Sequence, residues 1–290
     1  MRTTSTAGRF AQAAHGSAPR RVYPMTTPRR LPADSRAASV GSVSPNSDNQ
    51  RNAAERRLDE GRPPAPLELP PGGVQLLGFT AQADLVDFEM LTASAPLAPT
   101  LSQRIDVATL AADQFTRFER IADQIVAQGL TLVEALEPYR EALDAFARAT
   151  RARTWDTCVL RALLVNGLRA DFVAAIGGRL DDRLAALIEP GPTAWRVSDF
   201  AGRSLSEALD ADPTATGALS LYGRRFAAEA IGQIQRLVAR QVELTALVAR
   251  AAGGEGTIAS AGDELGVVSE LLEKLMVEHG KRLARLGLGG

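Results

Sequence analysis

The chain has 290 residues, 45% hydrophobic, 23% charged and only 5% aromatic, with a formal net charge of −1. Ala, Leu and Arg abound while aromatics are scarce, a bias toward helix formers over sheet builders, so an all-α domain is expected. The one cysteine, Cys158, excludes an intramolecular disulfide and every Cys-cluster metal site, and its place in an apolar pattern makes it a buried small hydrophobe. No apolar run suits a membrane span, since the stretch 76–101 is broken by Gln82, Asp84, Asp87 and Glu89. A cytoplasmic protein with no membrane partner is the expectation.

Residues 1–73 are rich in Ser, Thr, Pro, Arg, Asn and Gly, show no helical or strand period and end in Pro70-Pro71-Gly72-Gly73. They read as a disordered tail ahead of a helical domain over 74–290. The first 33 residues carry arginines and no acid, which suits either a transit peptide or a natural start at Met25; no apolar run follows Arg2 or Arg9 to make a secretory signal. The tail holds 11 of the 33 basic and 6 of the 34 acidic residues, leaving 22 against 28 in the helical part. An acidic domain is a poor surface for a phosphate backbone, so a nucleic-acid partner is not expected.

From Val74 the apolar residues recur with a helical period. Leu77, Ala81, Leu85, Phe88 and Leu91 mark a first helix ended by Pro96 and Pro99. A second follows Thr100 and runs toward Gly129. Thr131 caps a third element, expected to be interrupted at Pro138 and resumed through Ala149. A fourth helix spans Trp155–Ile176 and stops at Gly177-Gly178. The span 180–209 is helical but broken at Pro190-Gly191-Pro192, 219–252 reads as the longest unbroken helix, and after glycines 253, 254 and 256 a last helix covers 263–286. Six or seven helices in one domain have the layout of an elaborated four-helix bundle.

Several short blocks fall in order along 74–288: Leu77-Gly78-Phe79, Ala98-Pro99-Thr100-Leu101, Phe118-Glu119-Arg120, Ala170-Asp171-Phe172, Arg224-Arg225 and His279-Gly280-Lys281-Arg282-Leu283. In these the chain resembles a ferritin-like family of actinobacterial proteins named for similarity to the bacterial hydroxylases that modify 2-methylthio-isopentenyl-adenosine in tRNA. The resemblance implies a ferritin-like four-helix bundle with extra helices. It also implies a di-iron site built from Glu on two helices and a Glu-x-x-His pair on each of two others, since one helical turn brings both ligands of a pair to the inward face.

At the positions the resemblance assigns to ligands, this chain has Gln114 and Arg117 for Glu and His, Asn166 for an acid before Gly167, and Val197 for His, with Asp199 just after it. Asp84, Glu89 and Asp171 keep carboxylates. Gln is a weak neutral ligand, and the guanidinium of Arg stays protonated and cannot ligate. The chain's two histidines, His15 and His279, form no Glu-x-x-His pair. These eight positions are therefore read as a degenerate metal site, with no metal ligand and no cofactor expected.

Other chemistry is scarce. Gly253-Gly254-Glu255-Gly256 lacks the Lys and Ser or Thr of a phosphate loop, and serines such as Ser198 have no histidine for a triad. His279 reads as a cap or surface group, and Trp195 as a core or interface anchor. The favoured reading is a non-catalytic binding or structural module, with homo-oligomerisation open; the alternative is a di-iron hydroxylase acting on a modified tRNA base or small substrate. If inward carboxylates outlived their cations, Arg117 is expected to form an internal ion pair with at least one of Asp84, Glu89, Asp171 or Asp199.

Overall fold

A computed structural model of the chain describes residues 64–253 and 260–289. The tail through residue 63 and the glycines at 254 and 256 lie outside the described residues. Among the described residues there are nine α-helices and no strand. These are α1 (Gly73–Ser94), α2 (Leu101–Ala127), α3 (Leu132–Ala149), α4 (Trp155–Ile176), α5 (Asp182–Ile188), α6 (Gly191–Ala211), α7 (Ala215–Arg240), α8 (Val242–Ala252) and α9 (Ala261–Arg285), with 3-10 turns at Ala95–Leu97 and Gly177–Arg179.

Side-chain caps fix most of the starts. Thr100 accepts from the Gln103 amide, Asp181 from the amides of Arg183 and Leu184, and Ser260 from Asp263. Thr131 with Glu134, and Thr154 with Thr157, form reciprocal capping boxes. Each cap satisfies an amide that the first turn would otherwise leave without a partner.

Two expected boundaries differ. Pro138 lies inside α3, which runs on through it. The lost amide costs one hydrogen bond, but the buried face of Ala135, Leu136 and Tyr139 holds the helix against α1. That contact is close: at Gly78 a Cβ would collide with the carbonyl oxygen of Ala135, so only glycine lets the two backbones meet. Conversely, 219–252 is broken at Gln241, whose backbone leaves the helical region at φ −110° and ψ 72°. Neither glycine nor proline marks this break. The Thr245 hydroxyl donates to the Val238 carbonyl at 3.3 Å, standing in for an amide the ladder loses, and Leu244, Leu247 and Val248 turn into the core.

Apolar residues form two cores. The first gathers α1, α2, α3, α5, α8 and α9, with Ile176 of α4 and Leu237 of α7, around Leu76, Leu77, Ile121, Ile125 and Tyr139. The second gathers α2, α4, α6 and α7 around Val107, Leu160, Leu164, Leu205 and Phe226. Cys158 is buried, as expected of a small hydrophobe; Trp195, in contrast, is 63% exposed and does not belong to either core.

Residues 64–72, given to the tail by composition, run along the bundle. The Leu67 amide donates to Gln124 Oε1 at 3.3 Å, Gln124 Nε2 donates to the Ala65 carbonyl at 3.3 Å, and Gln128 Nε2 donates to the Leu67 carbonyl at 2.8 Å. Leu67 and Leu69 pack on the first core. An extended strap has no helical period, so the apolar pattern alone starts the domain too late. A chain beginning at Val74 is expected to be less stable than one beginning at residue 64, by about 1 to 3 kcal/mol for two part-buried leucines and the orphaned amides of Gln124 and Gln128. Denaturant melts of the two chains check this.

Candidate functional site

Asp84 and Asp87 stand one turn apart on the inward face of α1, and Asp84 is fully buried. Gln114 Nε2 on α2 donates to Asp84 Oδ1 at 2.7 Å. Arg117, one turn on, places Nε 3.2 Å from Asp84 Oδ2 and donates from Nη2 to the Ile188 carbonyl at the end of α5, at 2.7 Å. From α4, Arg169 Nη2 lies 2.8 Å from both Asp84 Oδ1 and Asp87 Oδ2. Arg161 completes the group, with Nη2 3.6 Å from Asp87 Oδ1, Nε donating to Thr150 Oγ1 at 3.4 Å, and its guanidinium over the Phe146 ring. Along α1 and α2 these residues fall between the stretch that feeds one core and the stretch that feeds the other.

The site therefore holds two carboxylates and three guanidiniums in a buried interior. Burial pushes the Asp84 carboxyl above its ordinary range, while Arg169, Arg117 and the Gln114 amide pull it back toward the ionised form. Two guanidiniums within 3.2 Å supply the counter-charge that an ionised Asp84 needs. Burial, and then the neighbouring Arg169, lower Arg117 to about 10, which leaves it charged at neutral pH.

The other positions named from the sequence lie elsewhere. Glu89 is exposed on α1. Asp171 pairs with Arg282 at 2.8 Å. Asn166 donates to the Ala194 carbonyl at 2.9 Å and lies 3.3 Å from Ser198 Oγ, tying α4 to α6. Val197 is part of the second core, and Asp199 is on the surface beside Arg203 at 3.0 Å. Of the carboxylates expected to meet Arg117, only Asp84 does so. Asp87, Arg161 and Arg169 were missed, although Arg161 and Arg169 stand two turns apart on α4.

A di-iron pair needs four or more carboxylates and two imidazoles converging from four helices. Here the donors nearest Asp84 are an amide and two guanidiniums, and among the described residues no three His, Cys, Asp or Glu side chains converge on one point. These residues do not fit such a pair.

His279 is neither a cap nor a surface group. It is 3% exposed, lies 3.1 Å from the Gly223 carbonyl through Nε2 and stacks on the Phe226 ring at 5.7 Å. One turn on, Leu283 packs so closely on Gly223 that a Cβ there would strike it. Burial holds the imidazole pKa below its ordinary value; the Gly223 carbonyl and Asp171 oppose that shift, and Arg282 adds to it.

Beside the cluster lies a cavity of about 200 Å³, walled mainly by apolar side chains, among them Phe79, Leu168, Phe172, Leu237 and Leu271, with Asp87, Arg117 and Arg169 in its wall. Residues 71–251 match the family model described as a ferritin-like domain of actinomycetes. The chain belongs to this ferritin-like family. No curated protein matches the chain. The ferritin-like domain thus holds, at the centre of its bundle, a closed set of ion pairs next to an open apolar space.

Two predictions follow from this geometry. Arg117→Ala leaves Asp84 with one cation in a dry site and is expected to destabilise the bundle by about 3 to 5 kcal/mol, whereas Arg203→Ala, which breaks the surface pair with Asp199, should cost under about 1 kcal/mol; urea melts distinguish the two. The second concerns pH. A histidine whose folded pKa is lowered favours the neutral form, so its stability contribution is present above its unfolded value near 6.5 and lost as pH falls below it. The melting temperature of the native chain should therefore fall more between pH 7 and pH 5 than that of His279→Gln.

Proposed function

We propose that this ferritin-like protein is a non-catalytic descendant of a di-iron bundle, acting without a metal cofactor as a cytoplasmic binding or structural module. The observation that carries the reading is the pairing of Asp84 with Arg117 and Arg169. An inward carboxylate that has lost its metal must find another cation or pay a desolvation cost of several kcal/mol, and here two side chains supply the charge. Arg117 stands at the position which the resemblance gives to an imidazole ligand. A guanidinium there both removes a donor and repels an incoming metal ion.

The blocks shared with the tRNA hydroxylase-like proteins are read as common descent, and hydroxylation of a tRNA base is not assigned. Oxygen chemistry at a di-iron pair needs the carboxylate and imidazole set that Gln114 and Arg117 replace. The acidic balance of the helical part, 22 basic against 28 acidic residues, also speaks against a nucleic-acid partner.

Metal analysis tests the reading. The full chain, expressed with iron supplied and purified without chelator, is expected to hold well under one iron per chain. Near-stoichiometric iron with an oxo-bridge absorption band would overturn it and favour the hydroxylase reading.

A further inference from the structure

Gln233, on α7, lines the cavity and is 5% exposed, and its side-chain oxygen Oε1 is buried without a hydrogen-bond partner. A buried amide left unpaired is uncommon, because it forfeits the hydrogen bonds it had in water. The other neutral polar groups in the wall are satisfied within the chain: the Thr80 hydroxyl donates to the Leu76 carbonyl at 2.8 Å and the Thr245 hydroxyl to the Val238 carbonyl at 3.3 Å. The charged groups in the wall, Asp87, Arg117 and Arg169, are engaged in the ion-pair cluster. Gln233 Oε1 is the neutral polar atom of the wall left without a partner; Arg117 Nε also makes no hydrogen bond, but it lies 3.2 Å from the Asp84 carboxylate.

We propose that this cavity binds a small, mostly apolar molecule carrying one hydroxyl, and that the hydroxyl pairs with the Gln233 amide. The proposal deepens the reading of the bundle as a binding module and rests on it. Size sets the first limit. A cavity of about 150 Å³ lined by Leu, Ile and Phe stays dry and admits benzene, so about 200 Å³ accommodates an aromatic ring with a short alkyl chain. Polarity sets the second. A hydroxyl both donates and accepts, so it can pair with the amide oxygen while the rest of the molecule covers the leucine and phenylalanine wall. Charge sets the third: three guanidiniums face two carboxylates at one end of the site, a surplus of positive charge that disfavours an amine.

Calorimetric titration of the full chain with 4-ethylphenol, ethylbenzene and 2-phenylethylamine tests the proposal. The expected result is binding of 4-ethylphenol roughly tenfold tighter than ethylbenzene, the value of about one net hydrogen bond, with the amine weakest. Gln233→Leu should bring the phenol and the hydrocarbon to nearly equal affinity while both still bind. Ala230→Leu, which fills part of the cavity from the same helix, should weaken both. If Gln233→Leu fails to fold, Gln233→Met takes its place. Failure of the native chain to bind either aromatic probe, equal affinity for the two, or a phenol preference that survives loss of the amide would overturn the assignment. Iron is measured in the same samples. A metal-free chain that binds neither probe overturns the cavity proposal alone, whereas an iron-loaded chain overturns the parent reading whatever the titration shows.

Discussion

A fully buried carboxylate is the constraint on which the centre of this bundle depends. Asp84 cannot be charged in an apolar interior without cations, and burial pushes its pKa upward for that reason. The chain answers with Arg117 from α2, Arg169 from α4 and the Gln114 amide, so one α1 side chain fixes the facing sides of two neighbouring helices. Arg169 also holds Asp87, and Arg117 reaches the end of α5 through the Ile188 carbonyl. Four helices thus meet through hydrogen-bonded charge between two separate apolar cores.

Exchanging a buried ionic group for apolar residues of similar volume is often neutral or stabilising, whereas removing one partner is costly. Each member of the network therefore depends on the others. Asp87, Arg117 and Arg169 form part of the wall of the adjoining cavity, and the break at Gln241 places Val238, Leu244 and Thr245 around it.

Much of this was legible in the sequence. Helical period, capping residues and terminating glycines placed α1, α2 and α4 closely, and replacement of a ligand-type residue by Arg117 pointed to an internal ion pair with one of four carboxylates, of which Asp84 is the partner. The illegible parts have physical reasons. The strap at 64–72 has Leu67, Leu69 and Pro70 part-buried and is tied down by Gln124, Gln128 and Arg250, all far away in the chain. The break at Gln241 is set by packing of α8 on the first core, with no glycine or proline to announce it. Pro138 signals a break that burial on α1 overrides. Arg161 and Arg169 look like solvated charges until a partner acid is placed opposite them, and Asp199 and Glu89 look like ligands until the helix rotation turns them outward. A lone histidine such as His279 gives no sign that a backbone carbonyl and a phenylalanine ring on another helix will enclose it.

The most direct test is a double-mutant cycle between Asp84 and Arg117, measured by urea unfolding of the native chain, Asp84→Ala, Arg117→Ala and the double variant. If the two side chains neutralise one another in a dry interior, the double variant should cost about 2 kcal/mol less than the two single variants together, since the second substitution removes a charge already stranded by the first. Additivity within about 0.5 kcal/mol would contradict the account, because it would mean that Asp84 and Arg117 are each satisfied independently and that no exchanged cation holds the centre of the bundle.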